Sequence, residues 1–176
     1  MPNTQKLALT VFVTKKRMKT NMAGLKIECV NRRLKLDKIA DAVYQTLGQK
    51  TDIKAELIFV SAEYIHDLNL STRGVDKVTD VLSYPTLDDI RGKVLDKNDY
   101  PIEMDDDQLF IGSIVICDDK VKAQAEEYGH SERRERTYLI VHSLMHLFGY
   151  DHITDEDKKQ MREKEKLALQ LLGVKD

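Results

Sequence analysis

Thr137-Tyr-Leu-Ile-Val-His142-Ser-Leu-Met-His146-Leu-Phe-Gly149-Tyr-Asp-His152 decides the reading of the fold. From Thr137 to Phe148 the chain is mostly apolar, with Tyr138, Leu139, Ile140, Val141, Leu144, Met145, Leu147 and Phe148. A helix apolar on nearly every side is a buried helix. The segment therefore predicts a central helix with other elements packed around it. Two imidazoles interrupt its apolar surface. His142 and His146 are four positions apart, so they share one helix face. Buried ionisable rings need partners. Gly149 sits where the helix can end in a left-handed cap. The chain then turns and can bring His152 back toward the other two. Three neutral imidazoles and an open fourth position describe a catalytic zinc centre. The competing reading has the three histidines satisfied by backbone carbonyls or exposed at the helix end. The usual hydrolytic zinc helix, H-E-x-x-H, carries a Glu as general base. Ser143 stands at that position here and cannot serve. A base must then come from elsewhere, or metal-bound water must act as hydroxide on its own.

Working outward, Leu7–Val13 and Leu25–Val30 read as strands. Asp37 to Leu47 reads as a helix capped by Asp37 and closed by Gly48. Ala55–Val60 is a buried-looking strand, and Ser61 caps a helix running to about Leu70. Thr79–Tyr84 is a strand ended by Pro85, and Leu109–Ile116 is another. Asp118–Tyr128 is a helix capped by Asp118 or Asp119 and stopped by Gly129. Ser131 caps the central helix. Thr154 caps the last one, whose first turn holds Asp155, Glu156 and Asp157 where the helix dipole favours acids. Interspersed strands and helices predict an α+β fold, a single mixed β-sheet packed against several helices, with the metal site at the end of the buried central helix. Residues 1–176 read as a single domain without repeats.

Thr86 to Gln108 resists this pattern, with eight acidic and three basic residues and no periodicity. So long a loop is functional or disordered. Asp105, Asp106 and Asp107 read as part of a solvated acidic loop that flanks the cleft, because three consecutive carboxylates point in different directions.

The formal net charge of −2 and pI of about 6.2 exclude a global polycation. A nucleic-acid enzyme of this composition needs a local basic cleft. Cys29 and Cys117 are too few for a disulfide framework, which points to a reducing, cytoplasmic compartment. Leu7–Val13 is followed, not preceded, by Lys15, Lys16, Arg17 and Lys19, which argues against a secretory signal. No segment approaches the ~20 apolar residues of a membrane span.

His142 to His152 resembles the H-G-x-L-H-L-x-G-Y-D-H signature of the bacterial YbeY family. Leu68–Pro85 is similar to that family's L-N-x-x-Y-R-x-x-D-x-P-T-D-V-L-S-F-P segment, and Ile111–Cys117 to its L-G-D-I-x-I strand. The matches follow the family's order and cover roughly residues 54–173, which leaves about 50 N-terminal residues as an added strand and helix portion of the same domain. Four positions depart: Thr72 where an aromatic is common, Val78 for Pro, Ser113 for Asp and Ser143 for Gly. The loss of a carboxylate at Ser113 puts any role for that side chain in doubt, but not the metal site.

The resemblance implies a metal-dependent, single-strand-specific endoribonuclease acting in ribosomal RNA maturation and ribosome quality control. Its partners would be single-stranded RNA, rRNA above all, and ribosomal proteins. It implies one Zn²⁺ per chain on His142, His146 and His152. It also implies a functional arginine at Arg73. Read from the residues alone, Arg73 precedes Gly74 at a turn and favours a surface ion pair with Asp76 or Asp80. A guanidinium is equally suited to phosphate oxygens. Lys77 is a weaker candidate for that electrostatic task. His66 and His130 lack metal-like spacing and read as structural or solvent-exposed. Asp151 either accepts from a ligand imidazole or caps the turn. Two rivals remain. A zinc peptidase keeps the metal but lacks the Glu. A non-catalytic ribosome assembly factor with a structural metal would close its site with a fourth protein ligand.

Overall fold

Alternation along Ile53–Val60 sets the two faces of the sheet. Ile53, Ala55, Leu57 and Phe59 are buried on one face, while Lys54, Glu56, Ile58 and Val60 are half-buried on the other. The computed structural model describes residues 23–174, so the strand read at Leu7–Val13 lies outside the described residues. In chain order the elements are β1 Leu25–Cys29, α1 Asp37–Thr46, β2 Ile53–Val60, α2 Ala62–Arg73, β3 Val81–Pro85, β4 Met104–Asp105, β5 Gln108–Cys117, α3 Asp118–Glu127, α4 Glu132–Leu147 and α5 Asp155–Leu171. The sheet order is β1-β2-β5-β3, with β4 also paired to β5. β1, β2 and β5 run parallel, and β3 and β4 antiparallel to β5. The fold is α+β with a mixed sheet, as the alternation of elements predicts.

The central helix is α4. Leu139, Ile140, Val141, Ser143, Leu144, Met145 and Leu147 are all buried, so only the face bearing His142 and His146 stays partly open in its C-terminal half. It touches β3, β5, α1, α3 and α5. Full burial of each of Ile140, Leu144 and Met145 contributes about 1.5–3 kcal/mol. A smaller core, Ile65, Leu82, Val115 and Cys117, lies under α2. Toward its other end that face carries polar pairs: Lys54 pairs with Glu28 and Asp105, and Ser113 reaches Glu56.

Ser143 is wholly buried and its Oγ has no hydrogen-bond partner among the described residues. An unmet buried hydroxyl costs about 1 kcal/mol or more. Ser143→Ala is therefore expected to raise stability by about 1 kcal/mol, read as a higher urea midpoint at unchanged slope. A lower midpoint would show that the hydroxyl is satisfied.

Ser61, Ser131 and Thr154 cap α2, α4 and α5 as their positions predict, Thr154 within a capping box with Asp157. Asp37, Asp118 and Asp119 do not cap. Each is already helical, in the first turn, and Leu36 and Cys117 hold the cap positions without a side-chain bond. The carboxylates keep their favourable place at the helix dipole. Asp119 instead accepts from Ala62 N at 3.1 Å, at the start of α2, and Asp118 pairs with Arg32. β3 begins at Val81, two residues later than the sequence suggests, and ends at Pro85, which is still paired with Gly112. β3 borders only β5 in the sheet order, and a strand edge tolerates proline.

The segment 86–108 is ordered, contrary to its composition. Leu87, Ile90 and Leu95 are buried in the main core. Gln49 donates to Lys93 O at 2.8 Å and accepts from Leu95 N at 2.9 Å. Lys97–Asp99 forms a short 3₁₀ turn. Asp105 belongs to β4, and Asp106, with φ of 53°, turns a tight hairpin into β5. Three apolar anchors outweigh eleven charged residues because none of the charged side chains is buried.

Candidate metal centre

α4 carries His142 and His146 on one face, and Gly149 turns the chain so that His152 joins them. Gly149 has φ of 81°. Its N–H donates to His146 O at 2.9 Å and Tyr150 N–H to Met145 O at 3.0 Å, which closes the helix end. A Cβ at Gly149 would meet Arg91 N at 3.0 Å and Ile90 Cγ1 at 3.3 Å. The 86–108 segment therefore braces this turn from outside. Arg91 also pairs with Asp157 at the start of α5.

Ring nitrogens of His142, His146 and His152 all lie within 4.8 Å of one another. The Nε2 atoms of His142 and His146 are 3.2 Å apart. A tetrahedral zinc with Zn–N of about 2.0–2.1 Å needs adjacent nitrogens about 3.3 Å apart. The donor set thus fits a borderline-soft divalent ion. His142 and His146 are half-buried and His152 is exposed. Among the described residues no fourth His, Cys, Asp or Glu joins the group. Burial, and then the neighbouring His142 and His152, push the His146 imidazole down to about 4. It is therefore neutral at physiological pH, the form that ligates.

The sequence reading missed Glu165. It is 6% exposed on α5, and its carboxylate accepts from His142 Nδ1 at 2.7 Å. The bond fixes the proton on Nδ1 and leaves the Nε2 lone pair facing the other rings. Asp151, read either as such an acceptor or as a cap of the turn, accepts from His152 N at 2.8 Å and lies 4.0 Å from His146 Nδ1. It shapes the turn. Tyr138, one turn before His142, stacks on that ring with centroids 5.9 Å apart.

Arg73 ends α2, followed by Gly74 at φ of 68°. It makes neither of the ion pairs considered for it. Asp76 is taken by His66 at 2.7 Å, and Asp80 by Gln124 and its own neighbours. Arg73 donates to Ser83 O at 3.0 Å, on β3, and lies over the Tyr84 ring. Among the described residues, a carbonyl and a ring face leave its charge uncompensated. The Asp76 carboxylate holds the His66 imidazole above its ordinary range. His130 pairs with the buried Glu135 at 3.1 Å. Burial pushes the Glu135 carboxyl up, opposed by the charge of His130.

The sequence model of one family, Endoribonuclease YbeY, matches residues 16–173. A relative of that name from Clostridium botulinum (strain Eklund 17B / Type B) is 38% identical over 145 residues, 80% of this chain and 87% of its own. Those from Clostridium acetobutylicum and Clostridioides difficile are each 42% identical, over 75% and 79% of this chain and 82% and 86% of theirs. The fold is similar to a Thermotoga maritima protein known from its solution structure, with a TM-score of 0.55 and 24% identity over 84% of this chain and 90% of that one. With matches of this extent, the chain belongs to the YbeY family.

Proposed function

We propose that the protein is a zinc-dependent endoribonuclease that cuts single-stranded RNA, acting in the cytoplasm on ribosomal RNA during its maturation and quality control. The observation that carries the chemistry is the convergence of three imidazoles at the end of α4, one of them oriented by a buried carboxylate. The endoribonuclease names of the relatives carry the substrate. No described helix is long and apolar enough to cross a membrane.

His142, His146 and His152 would hold the ion and Glu165 would orient His142. When bound, zinc supplies Lewis acidity toward a phosphoryl oxygen and lowers the pKa of water. Arg73 would bind and neutralise the scissile phosphate, where charge develops. Its lack of a carboxylate partner among the described residues supports that assignment. Ser143 is buried and takes no part. The ends of the products identify the nucleophile: 5′-phosphates follow hydrolysis, and 2′,3′-cyclic phosphates follow attack by the 2′-hydroxyl.

Digestion of matched single-stranded RNA, double-stranded RNA and an unstructured peptide tests the reading, with His146→Ala controlling for contaminating nuclease. Metal-dependent cleavage of the single strand alone is expected, since an A-form duplex holds its backbone rigid. Efficient peptide hydrolysis, or RNA cleavage unchanged in the variant, would show the reading to be wrong. Arg73→Ala should cleave RNA on the order of 10²-fold more slowly at unchanged metal content. Arg73→Lys should rescue little, because an ammonium lacks the planar fork. Parent-rate cleavage by Arg73→Ala would reduce Arg73 to a brace for β3.

A further inference from the structure

Where α1 and α4 begin and the chain leaves α5, the surface sinks into a groove of about 1110 Å³. Five cations line it, Lys35, Lys38, Arg133, Arg134 and Arg136, against the single carboxylate of Asp37. The whole chain holds 28 basic and 30 acidic residues, so the groove is a local reversal of sign. It supplies the basic cleft that a nucleic-acid enzyme of net negative charge needs. Lys35, Lys38 and Arg133 are exposed, and their side chains form no ion pair among the described residues. Arg136 is half-buried, held by Glu132 at 3.7 Å and lying over the Phe59 ring. Like charges gathered round one groove repel one another, and a bound polyanion removes that repulsion.

Two features select the polyanion. The lining contains no aromatic ring, so it offers no platform on which unpaired bases stack. Cations without rings read phosphates, and an RNA duplex turns its bases inward and its phosphates outward. Of the aliphatic side chains in the lining, Leu36, Ile39 and Ile140 are buried and Leu34 alone is exposed. An acidic amphipathic protein segment would find little there to bury its apolar face against.

The groove is separate from the metal centre but leads to it. Arg133, Arg136, Thr137 and Ile140 form one stripe of α4 at helical spacing. His142 stands about 200° round the helix from Ile140 and about 14 Å of rise beyond Arg133. Arg134 and Val174 line both the groove and a neighbouring cavity, and Tyr138 of that cavity stacks on His142. Together the two cavities run from the cations to the imidazoles.

We propose that the groove is an exosite for the phosphate backbone of duplex RNA, which holds a stem while the adjoining single strand reaches the metal centre. The proposal rests on the endoribonuclease reading and names the class of its substrate: RNA whose cleaved strand borders a stem.

The test has two arms. Lys35→Gln, Lys38→Gln and Arg133→Gln are combined in one variant, whose fold is kept because all three side chains are exposed. In the first arm, binding of a blunt RNA duplex to the zinc-loaded protein is followed by fluorescence anisotropy. The variant should bind on the order of 10²-fold more weakly at about 0.1 M salt, and its slope of log Kd on log salt should be shallower by about two to three. Lys35→Arg combined with Lys38→Arg keeps the charges and should bind as the parent does. Equal affinity and equal slope in the glutamine variant would overturn the exosite. Tighter binding of poly-glutamate than of the duplex, at equal charge, would overturn it too and assign the groove to acidic protein segments.

In the second arm, kcat/KM is measured on a stem bearing a single-stranded tail and on the tail alone. The parent should favour the stem-bearing RNA by about tenfold or more, through KM, because the bound stem raises the effective concentration of the tail. The glutamine variant should lose that preference and cut the tail alone at the parent rate. A parent without the preference, or a variant slowed equally on both, would overturn the exosite. Duplex binding that the glutamine variant loses, with neither RNA cleaved by the parent, would keep the duplex site and sink the endoribonuclease reading instead.

Discussion

Alanine at His142, His146 or His152 is expected to strip the purified protein of its divalent ion and abolish RNA cleavage. The parent should carry about one ion per chain, measured by plasma mass spectrometry, with zinc favoured by three imidazoles. The spacing of the ring nitrogens motivates this. Two remaining imidazoles hold an ion far more weakly than three. The lost binding energy should also appear as lost stability, about 4 kcal/mol where the free ion exceeds its dissociation constant a thousandfold. Glu165→Gln should do less. It keeps every ligand but weakens the acceptor for His142 Nδ1, at a cost of about tenfold in affinity. Full metal retention in all three alanine variants would sink the site. An unaltered affinity in Glu165→Gln would show that packing alone orients His142.

Gly112→Ala should be the most damaging single methyl group in the protein. Gly112 lies in β5 at φ of +133°, where L side chains are strained. Its Cβ would fall 2.2 Å from Tyr84 O and 3.0 Å from both Pro85 Cα and Leu147 Cδ2. Two of these are backbone atoms of β3, and they cannot yield without breaking the β3–β5 pairing. Relief would also displace Leu147, which adjoins His146. We expect a loss of about 4 kcal/mol or more, out of the 5–15 kcal/mol typical of a natural domain. Urea unfolding measures it. Gly129→Ala is the control: its φ is +67° and its Cβ would meet nothing within 4 Å, so it should cost only about 1 kcal/mol. Equal midpoints for the two variants would show that backbone sign, not contact, governs Gly112.

The central helix and the grouping of three histidines at its end were legible because both signals are local. An apolar run needs no knowledge of its neighbours, and His142, His146 and the Gly149 turn lie within one short span. The caps at Ser61, Ser131 and Thr154 were legible for the same reason. Glu165 was not. It sits in a run of charges, Lys158 to Lys166, that reads as a solvated face, and only the docking of α5 on α4 buries it. The order of the 86–108 segment was hidden likewise, since Leu87, Ile90 and Leu95 show no periodicity and are anchored by residues distant in sequence, such as Gln49. Asp119 illustrates the opposite error. It has the right chemistry for a local cap and spends it on α2, 57 residues earlier. The carbonyl that holds Arg73 was equally out of reach, because a backbone acceptor leaves no mark in a sequence.

The sheet's strand order has a consequence for how the protein is made. β5 lies between β2 and β3, so β3 has no partner until residue 117 of 176 has been synthesised. At about 5–20 residues per second, the earlier strands wait on the order of ten seconds for their central neighbour. Until α4 follows, the parts of β3 and β5 that it packs against remain uncovered. A nascent chain stalled in that interval presents an open sheet edge beside an apolar surface, the form in which chains aggregate or are captured by chaperones. Productive folding is thus a late event of translation, committed only when the helix that bears the histidines emerges.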